Sequence, residues 1–84
     1  MSYKIVIIER ALQEFGALPS GAYEEIRDFI RELAKTPRQL GSIRLVGREG
    51  WYVGIGNYRV IYEIDDEQRK ITILHIRRGR SLYQ

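Results

Sequence analysis

WYVGIGNYRVIYEIDDEQRKITILHI, residues 51–76, decides the fold. Its apolar and β-branched residues fall into three strand-length runs, Trp51 to Ile55, Tyr58 to Ile64 and Lys70 to Ile76. Gly56-Asn57, a pair suited to the positive backbone angles of a tight turn, separates the first two. Asp65-Asp66-Glu67-Gln68-Arg69, a polar tip, separates the second from the third. Runs joined by such short connections predict an antiparallel meander. Immediately upstream, Ile43-Arg44-Leu45-Val46 is a fourth candidate strand, and Gly47-Arg48-Glu49-Gly50 supplies its turn.

Further back the period changes. Ala22, Ile26, Phe29, Ile30 and Leu33 recur at spacings of three and four, with Glu24, Arg27, Asp28, Arg31, Glu32 and Lys35 on the rest of the wheel, which predicts an amphipathic helix. Thr36-Pro37 ends it, because the residue before proline is pushed out of the helical region. Glu9 to Ala17 places Ala11, Leu12 and Phe15 on one helical face, and Leu18-Pro19-Ser20 breaks that helix and offers Ser20 as the cap of the next. Tyr3 to Ile8 is almost continuously apolar, the pattern of a strand covered on both faces and lying inside a sheet. The expected class is α+β: one domain over residues 1–84, with an N-terminal strand, a two-helix hairpin, and a three- to four-stranded antiparallel meander whose one face the helices cover.

Composition narrows the function. The chain has no cysteine, so neither disulfides nor thiolate metal sites are expected, and the apolar run Ile5 to Ile8 is too short for a leader or a spanning helix. A cytoplasmic location with no membrane partner is the expectation. Residues 1–42 carry six basic and six acidic side chains, whereas residues 43–84 carry eight and five, so all of the excess positive charge lies in the second half. Eleven of the fourteen basic residues are arginine, whose planar fork suits bidentate binding of phosphate. The last ten residues carry Arg77, Arg78 and Arg80 against no acid. A polyanionic partner is indicated.

Alternation along Tyr58 to Ile64 puts Val60, Tyr62 and Ile64 on one face and Arg59, Ile61 and Glu63 on the other. Arg59 therefore stands opposite the better apolar set, either as an anion site or paired with Glu63 or an acid of a neighbouring strand. Arg44 and Arg48, close to turns, are weaker candidates for phosphate contacts. Gly54-Ile55-Gly56 is followed by no helix and no Lys-Ser/Thr pair, so it reads as a bend and not a phosphate loop. His75 has no ligand-spaced cysteine or acid and is set aside as a metal ligand, and Asp65-Asp66-Glu67 reads as a soluble turn.

Residues 47–83, GREGWYVGIGNYRVIYEIDDEQRKITILHIRRGRSLY, resemble the RelE/ParE superfamily, the toxins of bacterial toxin–antitoxin pairs. Gly-Asn-Tyr-Arg-Val-Ile-Tyr-Glu-Ile at 56–64 and the arginine-rich stretch to Tyr83 carry the likeness most specifically, and YKIVIIERALQEFGALP and TPRQLGSIRL extend it over the chain. The resemblance implies helices on an antiparallel sheet and a cytoplasmic toxin neutralised by a cognate antitoxin, the pair binding operator DNA through the antitoxin. In the RelE branch it implies cleavage of mRNA in the ribosomal A site with a 2′-hydroxyl as nucleophile and without metal or other cofactor. Arg59 then matches the phosphate-contacting arginine, Arg77 or Arg78 the basic residue after the last strand, and Tyr83 the C-terminal tyrosine, with Arg80 a further phosphate contact.

The chain departs from that pattern on the strand Trp51 to Ile55, where ribosome-dependent relatives carry alternating basic residues and this sequence has Tyr52 and Gly54. Either Tyr52 or another group serves as base, or the fold serves another activity. The chain stops just after Tyr83, so no C-terminal helix is expected over the site. Three functions stay open: a RelE-like ribosome-dependent endonuclease, a ParE-like inhibitor of DNA gyrase that needs no catalytic set, and a non-catalytic antitoxin-binding relative.

Overall fold

A computed structural model describes residues 2–79. Along the chain lie β1 (Lys4–Ile7), α1 (Glu9–Gly16), α2 (Ser20–Lys35), β2 (Ile43–Arg44), β3 (Trp51–Ile55), β4 (Tyr58–Asp65) and β5 (Lys70–Arg78). The strands form one sheet in the order β1-β5-β4-β3-β2. All neighbours from β2 to β5 are antiparallel, which is the meander that the polar turns require, and β1 joins parallel to β5 with Lys4 opposite Lys70.

The core follows from the two periodicities. Ile26, Ile30 and Leu33 of α2 and Ala11 of α1 are buried against Val53, Val60, Tyr62, Ile71, Ile73 and Ile76 of the sheet. Each such aliphatic or aromatic side chain contributes about 1.5–3 kcal/mol by leaving water. Tyr62, fully buried, meets Phe29 edge to face at 6.2 Å and keeps its hydroxyl within 2.7 Å of Ser42 Oγ, so the one polar atom it brings inside is satisfied.

Several expectations shift. β1 lies at the edge of the sheet, not inside it. Its apolar character on both sides arises because Ile5 and Ile7 pack on the core while the C-terminal end of α2 closes over its start, with the Tyr3 N–H donating to the Ala34 carbonyl at 2.7 Å. Ser20 is the first residue of α2 and Pro19 occupies the cap position, with no side-chain cap bond, consistent with the preset φ of proline. Leu12 is 54 % exposed and points away from the core that Ala11 enters. β2 keeps only Ile43-Arg44, because the chain turns at Gly50, whose φ of +126° and whose distances of 3.0 Å to Leu45 Cδ1 and 3.3 Å to the Tyr62 carbonyl, measured from an added Cβ, leave room for glycine alone.

The hairpin tip does more than stay soluble. Asp66 accepts from Tyr3 Oη at 2.6 Å and from Arg38 Nη2 at 2.8 Å, tying the β4–β5 turn to the start of β1 and to the segment after α2. Those donors, Arg38 first, hold its carboxyl down to about 2 from an ordinary 3.8. A carboxylate so lowered stabilises the fold above pH 4, and the contribution fades as pH falls through about 2. Asp66→Ala is therefore expected to lower the denaturant midpoint at pH 7 and to lower it much less at pH 2, a comparison made by urea unfolding at both values. Equal differences at the two pH values would rule the carboxylate out as the cause.

Candidate nucleic-acid interface

One irregularity arranges the sheet face that the helices leave open. Ile61 is opposite His75 and Tyr62 is opposite Ile73, so Leu74 is an extra residue on β5. Strict alternation from Ile71 and Ile73 would carry His75 and Arg77 into the core. The added residue switches the phase, buries Ile76, and turns His75 and Arg77 to the same face as Arg59 and Ile61.

The pairing then builds two rows across the open face. Gly54, Arg59 and Arg77 share one row from β3 to β5, and Tyr52, Ile61 and His75 share the next. Directly opposed residues in an antiparallel pair have Cα atoms about 5 Å apart, so Arg59 and Arg77 can present two guanidinium groups to a single phosphate. Gly54 leaves open space beside them, since an added Cβ there would meet nothing within 4 Å.

Arg59 is half-buried and its guanidinium lies against the backbone of Gly79, where an added Cβ would come within 3.3 Å of Nε and 3.4 Å of Cζ. Gly79 is itself fixed by its N–H, which donates to the Asn57 carbonyl at 2.8 Å. A side chain at position 79 would press on the arginine; glycine lets it pass. Arg77, half exposed, has Nε 3.8 Å from Glu14 Oε2.

Glu14 belongs to α1, which runs beside β5 where β1 has ended. Its Oε1 accepts from the Ile76 N–H at 2.8 Å, replacing the strand partner that this edge lacks. Its Oε2 lies 3.8 Å from His75 Nδ1 as well as from Arg77. Burial of the ring, reinforced by the Arg77 charge, lowers the pKa of His75 from its ordinary 6.5 despite the facing carboxylate. At neutral pH the imidazole is uncharged, and its contact with Glu14 is that of a carboxylate facing a neutral ring.

The other sequence candidates fall elsewhere. Arg78 is opposite Tyr58, on the side of the sheet away from Arg59, so of the two tail arginines on β5 it is Arg77 that joins the row. Arg44 is opposite Trp51 with its guanidinium carbon 5.5 Å from the indole centroid, on the helix side of the sheet. Arg48 is exposed in the turn before β3. Arg80 and Tyr83 lie outside the described residues. His75 and Glu14 were not singled out as site residues by the sequence, and only the fold reveals their meeting, since they are sixty-one positions apart and on different kinds of element.

The family model for the ParE toxin of the type II toxin–antitoxin system parDE matches residues 6–83. Toxin RelE of Mycobacterium tuberculosis is 30 % identical over 84 residues, covering 98 % of this chain and 87 % of its own. Among solved structures, the archaeal RelE–RelB complex from Pyrococcus horikoshii superposes with a TM-score of 0.82 at 26 % identity, covering 96 % of this chain and all of that one. The isolated E. coli RelE toxin superposes at 0.83 with 24 % identity, covering 98 % and 90 %.

Proposed function

Since the chain belongs to the ParE toxin family of type II toxin–antitoxin systems, we propose that this toxin acts as a ribosome-dependent, metal-independent mRNA endonuclease that halts translation. The observation that carries the reading is the row Gly54-Arg59-Arg77: two arginines paired across adjacent strands on an open sheet face, with space beside them at Gly54. Cleavage by a neighbouring 2′-hydroxyl forms the 2′-O–P bond and breaks the P–O5′ bond, and the phosphorus passes through a centre with more negative charge on its equatorial oxygens. Fixed cations placed at those oxygens stabilise that centre more than the ground state. Tyr52, one row along, borders the same face and contacts the nucleotide by stacking.

The toxin works in the cytoplasm on ribosome-bound message, and its antagonist is a cognate antitoxin that brings acidic and apolar residues to the Arg59–Arg77 face. Structures of relatives in complex with RelB, such as the archaeal one, support that partner. The antitoxin also links the pair to operator DNA. Among the described residues no helix is long and apolar enough to cross a membrane.

The test is a purified translation reaction on one defined message, with 5′ ends mapped by primer extension in the presence and absence of ribosomes. New ends at the A-site codon that require ribosomes are expected. Tyr52 and Gly54, standing where a basic pair is expected, favour a second reading, inhibition of DNA gyrase by binding. Intact message together with loss of supercoiling activity in a gyrase assay would establish that reading in place of the first.

A further inference from the structure

We infer that His75 is the general base of this site, taking the proton of the attacking 2′-hydroxyl on Nε2, and that Glu14 is the residue that positions its ring. The inference rests on the endonuclease reading and supplies the group that Tyr52 and Gly54 leave wanting.

Four observations carry it. The extra residue at Leu74 turns His75 out of the core and onto the face that holds Arg59 and Arg77. Along the strand it precedes Arg77 by two residues, about 7 Å, so a phosphate held by the arginines brings the 2′-oxygen of its own nucleotide toward the ring. The Nδ1 atom is buried without a hydrogen-bond partner among the described residues, and it faces Glu14 Oε2 at 3.8 Å. Finally, Glu14 is anchored by the Ile76 N–H on its other oxygen, so it is a fixed acceptor and not a wandering surface acid.

Those facts determine the tautomer that works. A buried Nδ1 beside a carboxylate carries the proton and turns it toward Glu14, a contact that tightens from 3.8 Å when the ring gains charge. Nε2 then holds the lone pair. As the 2′-hydroxyl attacks phosphorus, its proton passes to Nε2, the ring becomes imidazolium, and the Glu14 carboxylate offsets the new charge; the electron pair of the breaking P–O5′ bond leaves on the 5′-oxygen, which takes a proton from solvent water, and the imidazolium later returns its own proton to solvent. No oxidant, metal or further reactant is involved. The charged groups around the ring are Glu14 and Arg10 from α1 and Arg77 along β5, and the pull of the two arginines together with burial keeps the imidazole neutral and ready at physiological pH.

The experiment measures single-turnover cleavage of ribosome-bound message from pH 5 to 8.5 for the wild type, His75→Gln, His75→Ala and Glu14→Gln. Each variant is first shown to be folded by its thermal transition. Wild-type rates are expected to rise tenfold per pH unit at the acid end and to level below pH 6.5. His75→Gln is expected to be at least a hundredfold slower, a loss typical of a missing general base, and to lose that inflection. Added imidazole is expected to restore part of the rate of His75→Ala. Glu14→Gln, which keeps an acceptor for Ile76, is expected to move the inflection to lower pH because the carboxylate that favours the charged ring is gone. A folded His75→Gln that cleaves within threefold of the wild type with the same inflection overturns the assignment and leaves the endonuclease reading standing. A slow, folded His75→Ala that imidazole does not rescue also overturns it. Wild-type protein that leaves the message intact overturns both.

Discussion

Arg59→Ala is expected to slow A-site cleavage by about two to three orders of magnitude, the usual cost of removing one preorganised donor from a developing oxyanion. Because the side chain stands opposite the apolar core, the variant keeps its fold, and its thermal transition should lie close to that of the wild type. Arg77→Ala is expected to act in the same direction, and the double variant to cost less than the product of the two, since both groups bind one phosphate. The contact with Gly79 gives a second route to the same result without touching either charge. Gly79→Val places branched carbon within about 3.3 Å of the Arg59 guanidinium, so the arginine must move, and cleavage should fall at least tenfold with both arginines still present. Measured by primer extension on ribosome-bound message, wild-type rates in Arg59→Ala would remove the phosphate contact from this row.

Tyr62→Ala is expected to cost about 3–5 kcal/mol of stability, the range for deleting a buried aromatic side chain. The residue is fully buried, lies against Phe29, and carries the hydroxyl that meets Ser42. A chain of this length has on the order of 4–13 kcal/mol in all. The substitution should therefore bring the protein close to its unfolding midpoint at 37 °C, with loss of near-ultraviolet circular dichroism. Tyr62→Phe isolates the hydroxyl and should cost about 1–2 kcal/mol, because Ser42 Oγ loses its partner while the ring remains. Urea unfolding of the three proteins separates the two contributions. A Tyr62→Phe loss as large as that of alanine would mean that the hydrogen bond, and not the ring, holds this part of the core.

What could be read in advance was whatever leaves a local trace. The meander showed in three period-two runs and two polar turns, α2 showed in its Ile26, Ile30 and Leu33 stripe, and Arg59 was assigned to the open face by alternation within a single strand. The parallel pairing of β1 with β5 joins residues sixty-six positions apart and has no local signature, which is why β1 was expected in the middle of the sheet and is found at its margin. Arg77 and Arg78 are neighbours of the same chemistry, and only the register across to Arg59 and Tyr58 tells them apart. Arg44 could be recognised as a strand residue but not as one facing the helices. Glu14 reads on the sequence as an ordinary polar position of a short amphipathic helix, and its bond to the Ile76 N–H becomes visible only when the sheet edge left by the end of β1 is known.

Leu74 makes β5 two lengths of strand spliced out of step. Before it the odd-numbered Ile71 and Ile73 enter the core, and after it the even-numbered Ile76 does, so each length keeps its own alternation of inner and outer positions. A one-residue insertion here would be more damaging than most substitutions nearby, because with Leu74 kept as the extra residue it would reverse the alternation beyond it and draw His75 and Arg77 toward the interior at the expense of Ile76. Drift in the lining of the Arg59–Arg77 face and drift in the packing of the interior are in this way separated on one short segment, which lets a toxin of this size change what its surface does without rewriting what holds it together.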